Sequence, residues 1–106
     1  MPTQITIVHT PGCPHARLAR QRVEAAIAEL GGPAPAIVVE EIADPDAAVR
    51  RDFRGSPALV ADGVDLFAAP AGTPGFACRT YATEAGIEGA PSVRQIVEAL
   101  RSVQGS

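Results

Sequence analysis

The chain has 106 residues, 46% of them apolar, which suits one domain spanning 1–106 with one modest core. A formal net charge of −3, without any basic run, argues against nucleic acid or an anionic membrane surface as partner. No apolar run approaches the ~20 residues that span a bilayer. The start, Met1-Pro2-Thr3-Gln4, lacks the basic region of a secretion signal, so the expected compartment is the cytoplasm, where thiols stay reduced.

Ile5-Thr6-Ile7-Val8 is a β-branched run without clean alternation, as expected of a strand buried on both faces. Thr10-Pro11-Gly12 breaks it. A helix is then predicted over 14–30, with Cys13 as N-cap and Pro14 in the first turn. Its apolar positions are Ala19, Val23, Ala26, Ile27 and Leu30, recurring at helical spacing, and Gly31-Gly32-Pro33 stops it. Residues 36–42 form a second strand. Asp44-Pro45 reads as an N-cap followed by Pro at the first helical position, opening a short helix that buries Val49 and Phe53.

Gly55 ends that helix, and Ser56-Pro57 leads into a third strand at 58–61. Asp62-Gly63 between two apolar runs, the second at 64–67, is a strong hairpin signal. A Gly/Pro-rich stretch over 68–75, Phe76 to Tyr81, and a further loop lead to Pro91. Ser92 with Gln95 forms a capping box, and Val93, Ile96, Val97, Leu100 and Val103 make the buried stripe of a last helix. The order βαβαββα, with a right-handed crossover between the first two strands, predicts an α/β fold. Its mixed four-stranded sheet has helices on both faces.

The chemistry centres on Cys13. The thiolate is the nucleophilic form of a cysteine, and a helix N-terminus, with unpaired N–H groups and partial positive charge, favours an anion. His15, two residues on, is a candidate cationic or hydrogen-bonding neighbour.

Thr10-Pro11-Gly12-Cys13-Pro14-His15-Ala16 resembles the active-site turn of thioredoxin-like proteins, in its glutaredoxin-like Cys-Pro-His form. Ser56-Pro57 resembles that family's cis-proline, which faces the nucleophile and aligns substrate. The resemblance implies Cys13 as the catalytic nucleophile and Pro14, Ser56 and Pro57 as the substrate groove, while His15, by its place beside Cys13, and Cys78, by topology, are further candidate catalytic residues. It implies a thiol or disulfide substrate, protein or glutathione, and no cofactor. Ala16 stands where dithiol members keep a resolving cysteine. Resolution then falls to an external thiol or to Cys78, on the segment that leaves the active-site end of the sheet. A narrower likeness runs through Gly55-Ser56-Pro57, Asp62-Gly63-Val64-Asp65-Leu66-Phe67-Ala68, Cys78-Arg79-Thr80-Tyr81 and Gly89-Ala90-Pro91-Ser92. It points to small actinobacterial thioredoxin-like proteins, some labelled alkylmercury lyase-like.

Plainer readings stand beside these. Cys78 also fits a small buried hydrophobe, His15 a solvated first-turn residue, His9 a hydrogen-bonded structural histidine, and Asp62 a turn residue. Two cysteines far apart, with no zinc-type spacing, predict no metal site. Beside the redox reading, soft thiolates suit an organomercurial or other soft metal, and the groove suits a non-catalytic binding module.

Overall fold

The computed structural model describes residues 2–51, 53, 55–67 and 79–104. Among them the order is β1 (Gln4–His9), α1 (Ala16–Leu30), β2 (Ala36–Glu41), α2 (Pro45–Arg50), β3 (Ala58–Ala61), β4 (Val64–Asp65), β5 (Tyr81–Thr83), β6 (Gly86–Glu88) and α3 (Val93–Gln104). The fold is mixed α/β. Its four-stranded sheet has the order β2-β1-β3-β4, and β5 and β6 pair separately.

β1 lies at the centre because its residues can be buried on both sides. Ile5 and Ile7 join Leu59 under α1 and α3, packing on Ala19, Val23, Ala26, Ile96 and Leu100. Val8 points the other way, into a cluster with Ala48, Phe53, Ala58 and Val60 on the α2 side. This is the period of two expected of strands. The crossover through α1 makes β1 and β2 parallel, whereas β1–β3 and β3–β4 are antiparallel. Asp62 (φ 47°) and Gly63 (φ 87°) turn the β3–β4 hairpin with both residues at positive φ, a conformation that Asp and Gly tolerate best.

Several expectations are corrected. The predicted N-cap Cys13 is not the cap: α1 starts at Ala16 with His15 as N-cap. A residue before proline is disfavoured in the helical region, and the chain inserts another turn, Ala16 N–H to Cys13 O at 3.4 Å, before the first α-type bond from Ala19 N–H to His15 O. Pro14 accordingly lies in that turn, outside the helix. In α2 the buried residue is Ala48, while Val49 is 62% exposed. Six helical residues present too narrow a face to bury both. Phe53 is buried as expected, but beyond the helix end. Val103 is exposed, one turn past the last residue of α3 that reaches the core, Leu100. β4 stops at Asp65, so Leu66 and Phe67 lie in a turn, and the β5–β6 hairpin occupies a stretch expected to be loop.

Candidate functional site

β1 and β3 run antiparallel with Val8 opposite Ala58. The turn that leaves β1 and the segment that enters β3 are therefore neighbours at one end of the sheet. A side chain joins them: Thr10 N–H donates to Ser56 Oγ at 3.0 Å. Ser56 is fully buried, so this bond exchanges little with water. Cys13 N–H in turn donates to the Thr10 carbonyl at 3.2 Å, closing the tight turn through Pro11 and Gly12. The chain of bonds Cys13–Thr10–Ser56 couples the thiol-bearing turn to the Ser56–Pro57 step. That peptide bond is cis.

Cys13 is half-buried, and its thiol is not in a disulfide. Pro14 beside it is exposed. His9, at the end of β1, donates from Nδ1 to the Thr10 carbonyl at 2.8 Å, the structural role expected of it. His15 makes no side-chain capping bond. Its ring lies flat against Gly89, so closely that a Cβ there would overlap it. Gly89 is thus required by close approach, and His15 is wedged between the start of α1 and the end of β6. Arg22 of α1 fastens the same hairpin, donating to both Glu88 carboxylate oxygens (3.0 and 3.4 Å) and to the carbonyls of Ala90 and Pro91 (3.1 and 3.3 Å).

The far side of the Ser56–Pro57 step is held by residues that reasoning from sequence did not single out. Arg79 N–H donates to the Ser56 carbonyl at 2.8 Å, and the Tyr81 hydroxyl donates to the Pro57 carbonyl at 2.6 Å. The Arg79 guanidinium lies over the Tyr81 ring, 4.9 Å from its centroid, and pairs with Asp65 at 2.9 Å. The other Asp65 oxygen accepts from Phe67 N–H at 2.9 Å, and the Phe67 ring meets Tyr81 edge-on. Burial pushes the Tyr81 hydroxyl well above the ordinary phenol value, with Asp65 adding and Arg79 opposing. Tyr81 therefore stays protonated and a donor. The residue types were visible in Cys78-Arg79-Thr80-Tyr81, but no spacing rule pairs Arg79 with Asp65.

Cys78 lies outside the described residues, and with it the question of its distance from Cys13. Its chain neighbour Arg79 is fastened at Ser56. Two cavities among the described residues lie elsewhere. One of about 100 Å³ is lined by Val8, Phe53, Ala58 and Val60 with Arg51 and Asp65, and a wider groove of about 780 Å³ runs between Arg22, Glu88, Arg94 and Arg101. Neither is lined by Cys13. Among the described residues no helix is long and apolar enough to cross a membrane. No family model, curated protein or solved structure matches the chain.

Proposed function

We propose that the chain is a redox protein of the thioredoxin-like class. More particularly, it is a thiol–disulfide oxidoreductase with Cys13 as nucleophile and Ser56-Pro57 as the wall of the substrate groove. The observation that carries this reading is the Thr10–Ser56 bond of 3.0 Å, which ties the Cys13 turn to the Ser56–Pro57 step. A half-buried cysteine in a turn tied to a backbone segment held from both sides suits disulfide exchange, which needs a sulfur that substrate can reach and a fixed surface to align it.

In the first step the Cys13 thiolate attacks one sulfur of a substrate disulfide. A Cys13–substrate mixed disulfide forms, the original S–S bond breaks, and the other half leaves as a thiolate that takes up a proton. In the second step a further thiol resolves the mixed disulfide. If that thiol is Cys78, its thiolate attacks the Cys13 sulfur, the substrate leaves fully reduced, and the protein retains a Cys13–Cys78 disulfide. If it is glutathione acting on a glutathione-mixed disulfide, glutathione disulfide leaves and the Cys13 thiolate returns. Ala16, standing four residues into the Cys13-Pro14-His15-Ala16 turn, removes the local alternative.

The test is mass spectrometry of the protein after treatment with a disulfide such as oxidised glutathione. The expected product is either an oxidised monomer lighter by about two hydrogens, lost in Cys78→Ser, or a single glutathione adduct on Cys13. Cys13→Ser abolishes both. Equal adduct formation on Cys13 and Cys78, with no preference between them, overturns the assignment.

A further inference from the structure

We infer that Asp65, Arg79 and Tyr81 form a positioning unit that sets the orientation of the Ser56–Pro57 carbonyls beside the Cys13 turn. The inference rests on the oxidoreductase reading and deepens it by naming residues that act through the groove without touching the reacting sulfur.

Ser56 and Pro57 are both buried, and a buried carbonyl needs a donor. Each receives one from the segment after Cys78: Arg79 N–H for Ser56 and the Tyr81 hydroxyl for Pro57. A lone hydrogen bond from a tyrosine tip leaves the ring free to swing about its two side-chain torsions. Here the ring is clamped. Arg79 covers its face, Phe67 abuts it edge-on, and Asp65 holds both partners, one oxygen on the Arg79 guanidinium and the other on Phe67 N–H. The Arg79 and Asp65 side chains are only 10% and 23% exposed, so this charge pair is screened far less than a surface one. Asp65 on β4, Phe67 in the following turn and the segment 79–81 thereby converge on one pair of backbone oxygens. The opposite flank of Ser56, its hydroxyl, is used by Thr10. The Ser56–Pro57 step is thus gripped on one flank by the Cys13 turn and on the other by this unit.

A substrate disulfide must align with that step to react, whereas a small alkylating agent need only meet the thiol. Tyr81→Phe removes the hydroxyl and keeps the ring, and Asp65→Asn removes the charge while leaving an oxygen for Phe67 N–H. For each variant the rate of Cys13 exchange with a cystine-containing peptide is compared with its alkylation by iodoacetamide. Amide hydrogen exchange at Arg79 is followed alongside. Misalignment of this kind is expected to slow peptide exchange about ten-fold in Tyr81→Phe, with alkylation unchanged and protection of the Arg79 amide lowered. Asp65→Asn, a second variant should the first fold poorly, is expected to move the same readouts in the same direction. An equal fall in exchange and alkylation overturns the inference, because it marks a change in the reactivity of the thiol itself and not in the alignment of substrate. So does unchanged Arg79 protection in both variants. A wild-type chain that alkylates readily yet exchanges with no disulfide overturns the oxidoreductase reading instead.

Discussion

The Asp62 carboxylate accepts three hydrogen bonds from the start of β1: Thr3 N–H at 3.0 Å, the Thr3 hydroxyl at 2.8 Å and Gln4 N–H at 3.1 Å. In sequence it reads only as the corner of a hairpin. In the fold it also ties the beginning of the chain to the middle, and the Thr3 hydroxyl first, then the two amides, hold its carboxyl below the ordinary value. Glu88 is lowered likewise, by Arg22 first and then by the Thr83 hydroxyl. A carboxylate whose folded value lies below its unfolded value contributes stability above the unfolded value, and loses it as pH falls through the folded one. Denaturant titrations from about pH 7 down to about pH 2 should therefore show stability declining once the pH passes below the ordinary carboxylate range near 4. Asp62→Asn should flatten part of that decline; an unaltered pH profile in the variant would remove Asp62 from the account. Gly89 makes a second residue-scale prediction. Gly89→Ala places a methyl group inside the His15 ring, so the ring must move, at a cost of about 1–3 kcal/mol typical of overpacking. Shifted His15 ring resonances together with a lower urea midpoint would register it.

At the scale of elements, the helix ends differ in how completely they are capped. In α3 the capping box forms as expected: Ser92 Oγ accepts from Gln95 N–H at 3.1 Å, and Gln95 Oε1 accepts from Ser92 N–H at 2.9 Å. Ser92 Oγ also donates to Glu84 at 2.9 Å, joining the helix to the β5–β6 turn. Ser92→Ala should thus cost about 1–2 kcal/mol in equilibrium unfolding, the upper part of the range for a lost N-cap. In α2, Asp44 caps through Ala47 N–H at 2.8 Å. By contrast the Arg51–Glu40 pair is about a third exposed on each side, and Glu40→Gln should change stability by less than ~1 kcal/mol. The β5–β6 hairpin escaped prediction because its strands are three residues each and Ile87, its one large aliphatic residue, is 72% exposed. Such short strands carry no periodicity. They are held by side chains from elsewhere in the chain, among them Arg22 of α1 on Glu88, across 66 residues of sequence, and Gln95 and Ser92 of the α3 cap.

At the scale of the whole molecule, stability resides chiefly in the layer between the sheet and the α1–α3 pair. Leu100 of α3 is fully buried there, away from the Cys13 turn. Leu100→Ala should cost about 2–5 kcal/mol in urea unfolding, a large share of the total for a domain of this size, while native Cys13 alkylation stays unchanged. The amphipathic pattern of α1, the β-branched runs of β1 and β2, the Asp62-Gly63 turn and the Asp44 and Ser92 caps were legible in the sequence, whereas the predicted Cys13 cap was not formed. Each depends on neighbours within a few residues, where propensity and period act directly. Cys13 and the Ser56-Pro57 step stood out through a family resemblance, not through propensity or period. That resemblance also implied that the two face each other, and in the fold the antiparallel register of β1 against β3 makes their turns neighbours. Local rules did not anticipate the His15 ring on Gly89, or Asp65, Arg79 and Tyr81 meeting around Pro57. Those contacts join segments far apart in the chain, and only the packed sheet brings them within hydrogen-bonding distance.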